Sequence, residues 1–282
     1  MNGDEMSADD ETDPHRSRDV VVVGGGVAGL SAAVFTARQG LDTLVVDDGG
    51  SLLRRNAHLE NFPGFPLGVD ARRLLDLLAE QAATAGADRL DDRATRVSAV
   101  DSGGAGGSDP DDDARFAVEV DADGAGDGDG AGDGDDPRAP IRTRYVVAAT
   151  KNEVGYLADV EGVGILDRGK SYVDTDERGR TGVDGLYAAG RLAEKPHQAA
   201  VCAGHGAEVG VTILEEDDRG FYHDWVAPEG YFTDRDRQVP PGCEEIDADE
   251  RREREEQSRE AIRERFAAPH PDPQETHPSL EE

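Results

Sequence analysis

The sequence predicts an α/β fold with a parallel sheet, and three observations lead to this prediction. A short apolar run, DVVVV at residues 19–23, ends at a glycine cluster. An alanine-rich helical segment follows at residues 30–39, and Gly40 is placed to end it. A second apolar run, LDTLVVD, occupies residues 41–47. A strand, a helix and a strand in this order form a right-handed crossover, so the two strands should be parallel neighbours.

Further elements are predicted downstream of this unit. Asp70 is placed to cap a helix that runs to residue 85 with a leucine stripe. Strands are predicted at residues 96–100, 115–120 and 141–149, and a second long helix at residues 197–216. The Gly/Asp-rich stretches at residues 101–113 and 121–140 hold few apolar side chains, so we interpret them as low-complexity solvated loops.

These elements divide the chain into four parts. Residues 1–18 are predicted to be a disordered acidic tail, and residues 19–216 the main folded domain. Residues 217–246 contain several aromatic residues without clear periodicity, which predicts an irregular aromatic flap. Residues 247–282 carry many charges and few apolar positions, which predicts a charged C-terminal helix or tail.

The charge balance points to a protein of a salt-rich cytosol. There are 62 acidic and 30 basic residues, a formal net charge of −32, and only three of the basic residues are lysines. In molar salt the Debye length falls to about 3 Å, which screens the repulsion among such charges. We therefore expect a halophilic cytoplasmic protein; acidic tails on an ordinary protein are the alternative. The charge argues against nucleic acid or an anionic membrane as a partner.

Cysteine usage and hydropathy support the same compartment. Cys202 and Cys243 are the two cysteines, they are far apart, and no CxxC pair is present. This pattern fits a reducing compartment without a disulfide framework. No apolar run approaches the roughly 20 residues that span a bilayer, so no membrane association is expected. No metal site is predicted, because the Gly/Asp-rich stretches lack the acid spacing of a calcium loop.

The glycine cluster has the spacing GxGxxG, as Gly24, Gly26 and Gly29. Gly24 allows a tight turn, Gly26 lets the backbone approach a diphosphate, and Gly29 allows the helix to pack closely on the strand. Val27 and Ala28 complete the loop at the helix N-terminus, whose N–H groups and positive dipole end favour an anion. A glycine turn that binds nothing is the alternative.

Asp47 strengthens the dinucleotide interpretation, because it ends the second apolar run, 23 positions after Gly24. A carboxylate at about this offset accepts hydrogen bonds from the ribose hydroxyls of a dinucleotide. It also repels a 2′-phosphate. The pattern therefore favours FAD or NAD over NADP.

Three motifs, taken in order, resemble the thioredoxin reductase-like family of flavoproteins. They are VVVGGGVAGLSAA from residue 21, ENFPGFP at residues 60–66 and TGVDGLYAAG at residues 181–190. The resemblance covers residues 19–101 and 115–216. It implies a three-layer ββα FAD-binding, Rossmann-like domain with a parallel sheet and a β-meander crossover, and it implies FAD as the cofactor.

The resemblance also implies roles for individual residues by position. Gly190 should lie under the pyrophosphate–ribityl region, and Gln198 and Ala199 should begin the helix that faces the flavin. Thr150 matches the threonine that closes the meander strand of the family. Val97 matches the residue that contacts adenine through its backbone, and Asn61 matches an asparagine near the isoalloxazine.

The chain departs from the family in three ways. The interval between the meander strand and TGVDGLYAAG, residues 151–180, has 30 residues, which is too short for a nicotinamide domain of roughly 100 residues. The redox CxxC is missing. The aspartate that the family places after AAG, a ligand of the ribityl chain, is Arg191 here, and the arginine before QA is His197. Arg191 either pairs with a phosphate or marks weakened flavin binding.

Three hypotheses follow. The first is an FAD-dependent oxidoreductase that takes electrons from NAD(P)H or from an external donor protein. It would not act as a thioredoxin reductase by the usual mechanism. The second is a non-catalytic flavin- or nucleotide-binding module with a regulatory or scaffolding role. The third is an NAD-binding oxidoreductase that uses the single Rossmann site. The catalytic residues, the substrate and the oligomeric state stay open.

Overall fold

The computed structural model describes residues 17–100, 113–121 and 139–277. The predicted acidic tail and the two predicted low-complexity loops lie almost wholly outside these residues. The described strands and helices are β1 (Arg18–Val23), α1 (Val27–Arg38), β2 (Thr43–Val46), α2 (Ala71–Thr84), β3 (Asp88–Leu90), β4 (Ala94–Ala99), β5 (Phe116–Val120), β6 (Ile141–Ala148), β7 (Ile165–Asp167), β8 (Ser171–Val173), β9 (Leu186–Ala188), α3 (Ala199–Glu216), β10 (Trp225–Pro228), β11 (Cys243–Ile246) and α4 (Ala248–Arg265).

The chain divides into two compact units. The first contains Met1–Ser51 and Leu77–Val211, and the second contains Leu52–Asp76 and Thr212–Glu282. Both units are therefore discontinuous in sequence. The four-part organisation predicted from the sequence stays a prediction.

A mostly parallel sheet forms the centre of the first unit. Its strands lie in the order β3-β2-β1-β6-β5-β4, and β9 also pairs with β6. The pairs of β1 with β2 and β6, of β2 with β3, and of β6 with β9 are parallel. The predicted parallel neighbours are thus confirmed. Strand β3 was not predicted, because it has only three residues and none of them is buried.

The strands β4, β5 and β6 form the predicted antiparallel meander. Val97, Phe116 and Val118 of the meander share a buried core with the β1 and β2 side chains Val21 and Leu44. On the helical side, a Cβ at Gly29 of α1 would lie 3.0 Å from a methyl group of Val22 in β1. The unit therefore has the predicted α/β architecture of meander, parallel sheet and helices.

Helices α1 and α3 pack against each other through glycines. A Cβ at Gly206 would lie 2.0 Å from the Ala28 carbonyl oxygen, and a Cβ at Gly210 would lie 2.9 Å from that of Ala32. Real Cβ contacts are longer than this, so the two helix backbones approach as closely as glycine allows. The packing fixes α3 beside the N-terminal half of α1.

The second unit contains the aromatic segment and the C-terminal helix. The rings of Trp225 and Tyr231 lie 4.5 Å apart, centroid to centroid. Strands β10 and β11 pair in parallel here. The prediction of an irregular flap for residues 217–246 is therefore wrong at these two strands. Each strand has four residues and lacks the alternating pattern that marks a longer strand in a sequence.

Helix α4 begins at a side-chain cap and then carries only unburied residues. The Asp247 carboxylate accepts hydrogen bonds from the amides of Asp249 and Glu250, at 2.8 and 2.9 Å. The residues after this helix contact residues 52–76 of the same unit. The Arg73 side chain donates a hydrogen bond to the Ala268 carbonyl at 2.8 Å. A helix or a tail was predicted for residues 247–282, and Ala248–Arg265 is helical.

Candidate functional site

The three glycines of the GxGxxG motif occupy three different environments. Gly24 has a φ of +107°, a conformation that side chains rarely adopt, and it forms the turn after β1. A Cβ at Gly29 would lie 2.0 Å from the Gly24 carbonyl oxygen, so α1 packs directly on the turn. A Cβ at Gly26 would meet only the Ser51 hydroxyl, at 4.0 Å. Gly24 and Gly29 are thus required by the protein itself, whereas Gly26 faces open space.

The N-terminus of α1 is available for an anion. Gly26 is its N-cap residue, with φ −80° and ψ −177°, and no side chain caps the helix there. The first turn of α1 contains no acidic residue. Val27 and Ala28 begin this turn, so their region combines uncapped N–H groups with the positive end of the helix dipole. The open space at Gly26 is the place where a diphosphate would meet them.

Asp47 is held at the edge of the glycine turn. Its Oδ1 accepts a hydrogen bond from the Gly25 amide at 3.0 Å, and its Oδ2 lies 3.3 Å from the Arg89 guanidinium. A Cβ at Gly25 would lie 2.6 Å from the carboxyl carbon of Asp47, so this position also requires glycine. Asp47 is buried, with 8% of its surface exposed. The carboxylate is therefore fixed in orientation before any ribose approaches it.

The TGVDGLYAAG motif meets the glycine loop through Gly190. Strand β9 pairs with β6, and β6 pairs with β1, so the three strands end at the same edge of the sheet. Gly190 has a φ of +63°, and a Cβ there would lie 2.6 Å from the Cβ of Ala28. The Gly190 amide donates to Nδ1 of the buried His205, 3.0 Å away. The sequence motif and the helix N-terminus are thus adjacent, as the resemblance implied.

The Arg191 side chain contacts Tyr172 and a main-chain carbonyl. Its guanidinium carbon lies 4.8 Å from the centre of the Tyr172 ring, and Nη2 hydrogen-bonds the Tyr172 hydroxyl. Nη1 donates to the Lys195 carbonyl at 3.0 Å. These contacts hold the guanidinium against β8 at the position where the resemblance implies a ribityl ligand.

Thr150, Gln198 and Ala199 lie at the same edge of the first unit. The Thr150 hydroxyl donates to the Glu153 carbonyl at 2.6 Å and lies 2.9 Å from the Tyr156 hydroxyl. Burial is the main reason that the pKa of Tyr156 is raised, so its hydroxyl stays protonated. Helix α3 begins at Ala199, directly after Gln198. These residues shape the loop after β6 and the start of α3.

The two remaining predicted residues lie elsewhere. Val97 is fully buried on β4, opposite Val118, in the core between the meander and the sheet. Asn61 is exposed in the NFPGFP loop of the second unit. The contacts predicted for them with adenine and isoalloxazine stay predictions.

The N-terminal part of the chain is similar in sequence to known FAD-binding proteins. Residues 19–59 match the family model described as an FAD binding domain. Thioredoxin reductase from Streptomyces coelicolor is 39% identical over 83 residues, which is 28% of this chain and 26% of that protein. Thioredoxin reductase from Aquifex aeolicus is 38% identical over 77 residues, 27% of this chain and 24% of that protein. The chain therefore spans about a quarter of the length of these curated relatives.

Solved structures of thioredoxin reductases are similar in fold to most of this chain. A thioredoxin reductase from Gloeobacter violaceus superimposes with a TM-score of 0.56 at 16% identity, covering 76% of this chain and all of that one. The thioredoxin reductase from Streptococcus pyogenes also gives 0.56, at 12% identity, covering 72% of this chain and 98% of that one. The fold of this chain is therefore like that of thioredoxin reductases. FAD is the cofactor that the comparisons imply.

The residues of the candidate site fit FAD at two points, the glycine loop and Asp47. Gly26 leaves open space in front of an uncapped helix N-terminus, where the pyrophosphate would bind. Asp47 presents a buried, oriented carboxylate where the adenosine ribose would bind. Across the described residues, no three histidine, cysteine or acidic side chains cluster as a metal site, and no helix there is long and apolar enough to cross a membrane.

Three residues of the candidate site were not predicted from the sequence. Arg89 contacts Asp47 from β3, Tyr172 contacts Arg191 from β8, and His205 accepts from Gly190 in the middle of α3. Of these three residues, only His205 could have been predicted from the sequence, because it lies on the helix that the resemblance places at the flavin. Arg89 and Tyr172 lie on three-residue strands, which no periodicity marks.

Proposed function

We propose that this chain is an FAD-dependent oxidoreductase that has no nicotinamide domain between its two flavin motifs and receives its electrons from elsewhere. The observation that carries the proposal is the arrangement of Gly24, Gly26, Gly29 and Asp47 around one uncapped helix N-terminus. When bound, FAD supplies a ring that accepts and releases electrons. The chain's own part is to hold the dinucleotide and orient its ring.

The segment between the two motifs supports this proposal. Residues 151–180 contain a 3₁₀ turn at Gly155–Leu157 and the hairpin β7–β8. The Asn152 side chain donates to the Ser171 carbonyl at 2.9 Å, which closes the segment on itself. The segment therefore consists of short elements and is too short for a second nucleotide-binding unit. The donor would then be NAD(P)H from solution or a donor protein.

The cysteines argue against disulfide reduction by the usual route. Neither Cys202 nor Cys243 is in a disulfide, and they belong to different compact units. Cys202 is buried on α3, and burial is the main reason that the pKa of its thiol is raised. A thiol in this state is a poor nucleophile at neutral pH. We expect no thioredoxin reductase activity.

A non-catalytic flavin- or nucleotide-binding module is the second candidate function, and Arg191 is the observation that favours it. The resemblance places an aspartate at this position as a ribityl ligand. Here an arginine lies there, held against Tyr172. A site that lost this ligand would retain the adenosine half of FAD and hold the flavin ring less firmly. The NAD-binding alternative lacks such support, because the matched family model is an FAD binding domain.

The high negative charge supports the proposal that this protein works in a salt-rich cytosol. The charge of −32 includes helix α4, whose described side chains are all unburied. Repulsion among such charges is screened only at high ionic strength. The halophilic and cytoplasmic assignments are part of this proposal.

Reconstitution with FAD tests the proposal. The full chain is refolded with FAD in molar KCl, and we expect flavin bands near roughly 375 and 450 nm that stay with the protein through gel filtration. Bleaching of the roughly 450 nm band by NADH, NADPH or reduced ferredoxin then supports the oxidoreductase, whereas a bound flavin that none of them reduces supports the module. Tight binding of NAD without FAD contradicts both. Steady NADPH-dependent reduction of a disulfide substrate contradicts the absence of reductase activity.

A further inference from the structure

The short strand β3 contacts Asp47 through its backbone and through one side chain. The Asp47 amide donates a hydrogen bond to the Leu90 carbonyl at 3.0 Å, which continues the parallel pairing of β2 with β3. The preceding residue on β3, Arg89, donates through its guanidinium to Oδ2 of Asp47 at 3.3 Å. None of the three β3 residues is buried, so core packing does not require an arginine at this position.

The two hydrogen bonds to the Asp47 carboxylate use one acceptor position on each oxygen. A carboxylate has about four lone-pair positions, two on each oxygen. Oδ1 accepts from the Gly25 amide at 3.0 Å, and Oδ2 accepts from Arg89. These bonds leave about one position on each oxygen. The 2′- and 3′-hydroxyls of a ribose are neighbouring donors, so this arrangement suits a ribose with both hydroxyls free.

Arg89 fixes the part of the Asp47 carboxylate that the glycine turn does not hold. The Gly25 bond acts on Oδ1 alone, so by itself it leaves the carboxylate plane free to rotate. The guanidinium acts on Oδ2, and it is itself held by Asp91, 2.8 Å away. Since both oxygens are oriented before a ligand arrives, less side-chain freedom is lost on binding.

We propose that Arg89 is a positioning residue that makes the site selective for a ribose with a free 2′-hydroxyl. The inference rests on the proposed function, which assigns the adenosine ribose of FAD to Asp47. Arg89 acts through the Asp47 carboxylate, whereas the diphosphate depends on the glycine loop at Gly26. Loss of Arg89 therefore weakens recognition of the ribose hydroxyls and leaves the diphosphate contacts in place.

ADP and 2′-deoxy-ADP test the proposal, because they share a diphosphate and differ only in the 2′-hydroxyl. Calorimetry on the FAD-free full chain in molar KCl gives the affinity for each nucleotide. The parent should bind ADP about 10-fold or more tightly than 2′-deoxy-ADP, since a hydrogen bond to a charged group is a strong one. In Arg89→Gln this ratio should fall to about 3-fold or less, and in Asp47→Asn it should approach 1. The double variant should match Asp47→Asn alone, because Arg89 acts through Asp47.

Arg254 of α4 offers a matched control in the other compact unit. Its side chain is 44% exposed and pairs with two carboxylates, those of Glu244 and Glu250. The Arg89 side chain is 39% exposed and also pairs with two carboxylates. Arg254→Gln therefore removes the same charge and the same number of ion pairs, and it should retain the nucleotide ratio of the parent. Circular dichroism verifies that every variant folds.

Three outcomes would overturn the role of Arg89. The first is a parent ratio in Arg89→Gln, including the case in which both nucleotides bind equally more weakly, because Arg89 would then have only a structural or general electrostatic effect. The second is a lower ratio in the Arg254→Gln control. The third is a parent that binds FAD and does not distinguish the two nucleotides, which leaves the proposed function intact. A parent that binds neither FAD nor ADP contradicts the proposed function, and the inference fails with it.

Discussion

The Gly190 amide donates a hydrogen bond to Nδ1 of His205, 3.0 Å away, and this bond joins the loop after β9 to the middle of α3. An imidazole that accepts at Nδ1 is neutral and carries its proton on Nε2. Burial, followed by the charge of Lys195, lowers the pKa of His205 to about 4. The conformation at Gly190, with its φ of +63°, therefore depends on a histidine that stays uncharged at neutral pH.

This bond predicts a pH-dependent loss of stability. Between the unfolded pKa of about 6.5 and the folded value of about 4, the unfolded chain binds the additional proton, so stability should fall as the pH drops through this window. The loss from His205 alone should approach roughly 3 kcal/mol. His205→Asn retains an acceptor for the Gly190 amide and does not titrate. Its urea midpoint should therefore change less between pH 7 and pH 4 than that of the parent.

The exposed His58 offers a matched control for this measurement. His58→Asn, which removes an exposed imidazole beside Glu60, is measured over the same pH range. Identical pH profiles for the parent and His205→Asn would show that the buried imidazole does not control stability. Carboxylates titrate in all three proteins, so only the differences among them are informative.

Substitutions of two glycines should separate cofactor binding from folding. At Gly26 the backbone φ of −80° accepts any side chain, and the nearest atom to a new Cβ is 4.0 Å away. Gly26→Val should therefore fold with about the parent's stability and fail to bind FAD, because the valine fills the diphosphate space. Gly29→Ala should be destabilised with or without FAD, since its Cβ would lie 2.0 Å from the Gly24 carbonyl.

The measurements are flavin stoichiometry and the thermal midpoint of each apoprotein. Gly204→Ala serves as the control, because a Cβ at this helical position meets nothing within 4 Å. It should leave both quantities unchanged or slightly raise the midpoint. FAD retained by Gly26→Val at full stoichiometry would contradict the assignment of the diphosphate to this loop.

Salt should stabilise the folded chain strongly. With a net charge of −32, the compact state brings more negative charge together than the unfolded state does. Raising KCl from about 0.1 M to several molar shortens the Debye length from about 10 Å to below 3 Å, and the unfolding midpoint should rise steeply. Circular dichroism follows the transition. Sucrose, which stabilises by exclusion without screening, is the control, and equal midpoints at both KCl concentrations would contradict the halophilic proposal.

The segment between β5 and β6 should be dispensable for FAD binding. Val118 pairs with Ile141, so the two strands meet independently of the residues that join them. Replacing residues 122–138 by Gly-Asn retains the hydrogen bond from the Asp121 amide to the Arg93 carbonyl, 2.9 Å long. The shorter connection should raise stability by ~1 kcal/mol, because loop-closure entropy grows with the logarithm of length. Flavin content and thermal midpoint are compared with the parent, and loss of flavin would show that the segment contributes to the site.

The sequence by itself determined the β1–α1–β2 unit and the backbone roles of Gly24 and Gly29 in it. These roles are local, because a positive φ at Gly24 and the close approach of Gly29 involve residues within one turn of the chain. Helix α2 was also determined locally: the Asp70 carboxylate accepts from the amides of Arg72 and Arg73, at 2.9 and 3.1 Å. Caps and turns act over three or four residues, so their residue types can be recognised in a sequence.

Only the tertiary structure decided which distant side chains meet at the site. The Arg89 side chain hydrogen-bonds Asp47, which is 42 positions away in the sequence, and the Arg191 side chain hydrogen-bonds Tyr172, which is 19 positions away. Helix α3 begins at Ala199, two residues later than predicted, after the Gln198 amide bonds the Pro196 carbonyl. Such contacts depend on strand order and helix packing, which apolar periodicity does not encode. The sequence therefore specified the glycine loop, and the packing of β3, β8 and α3 specified its surroundings.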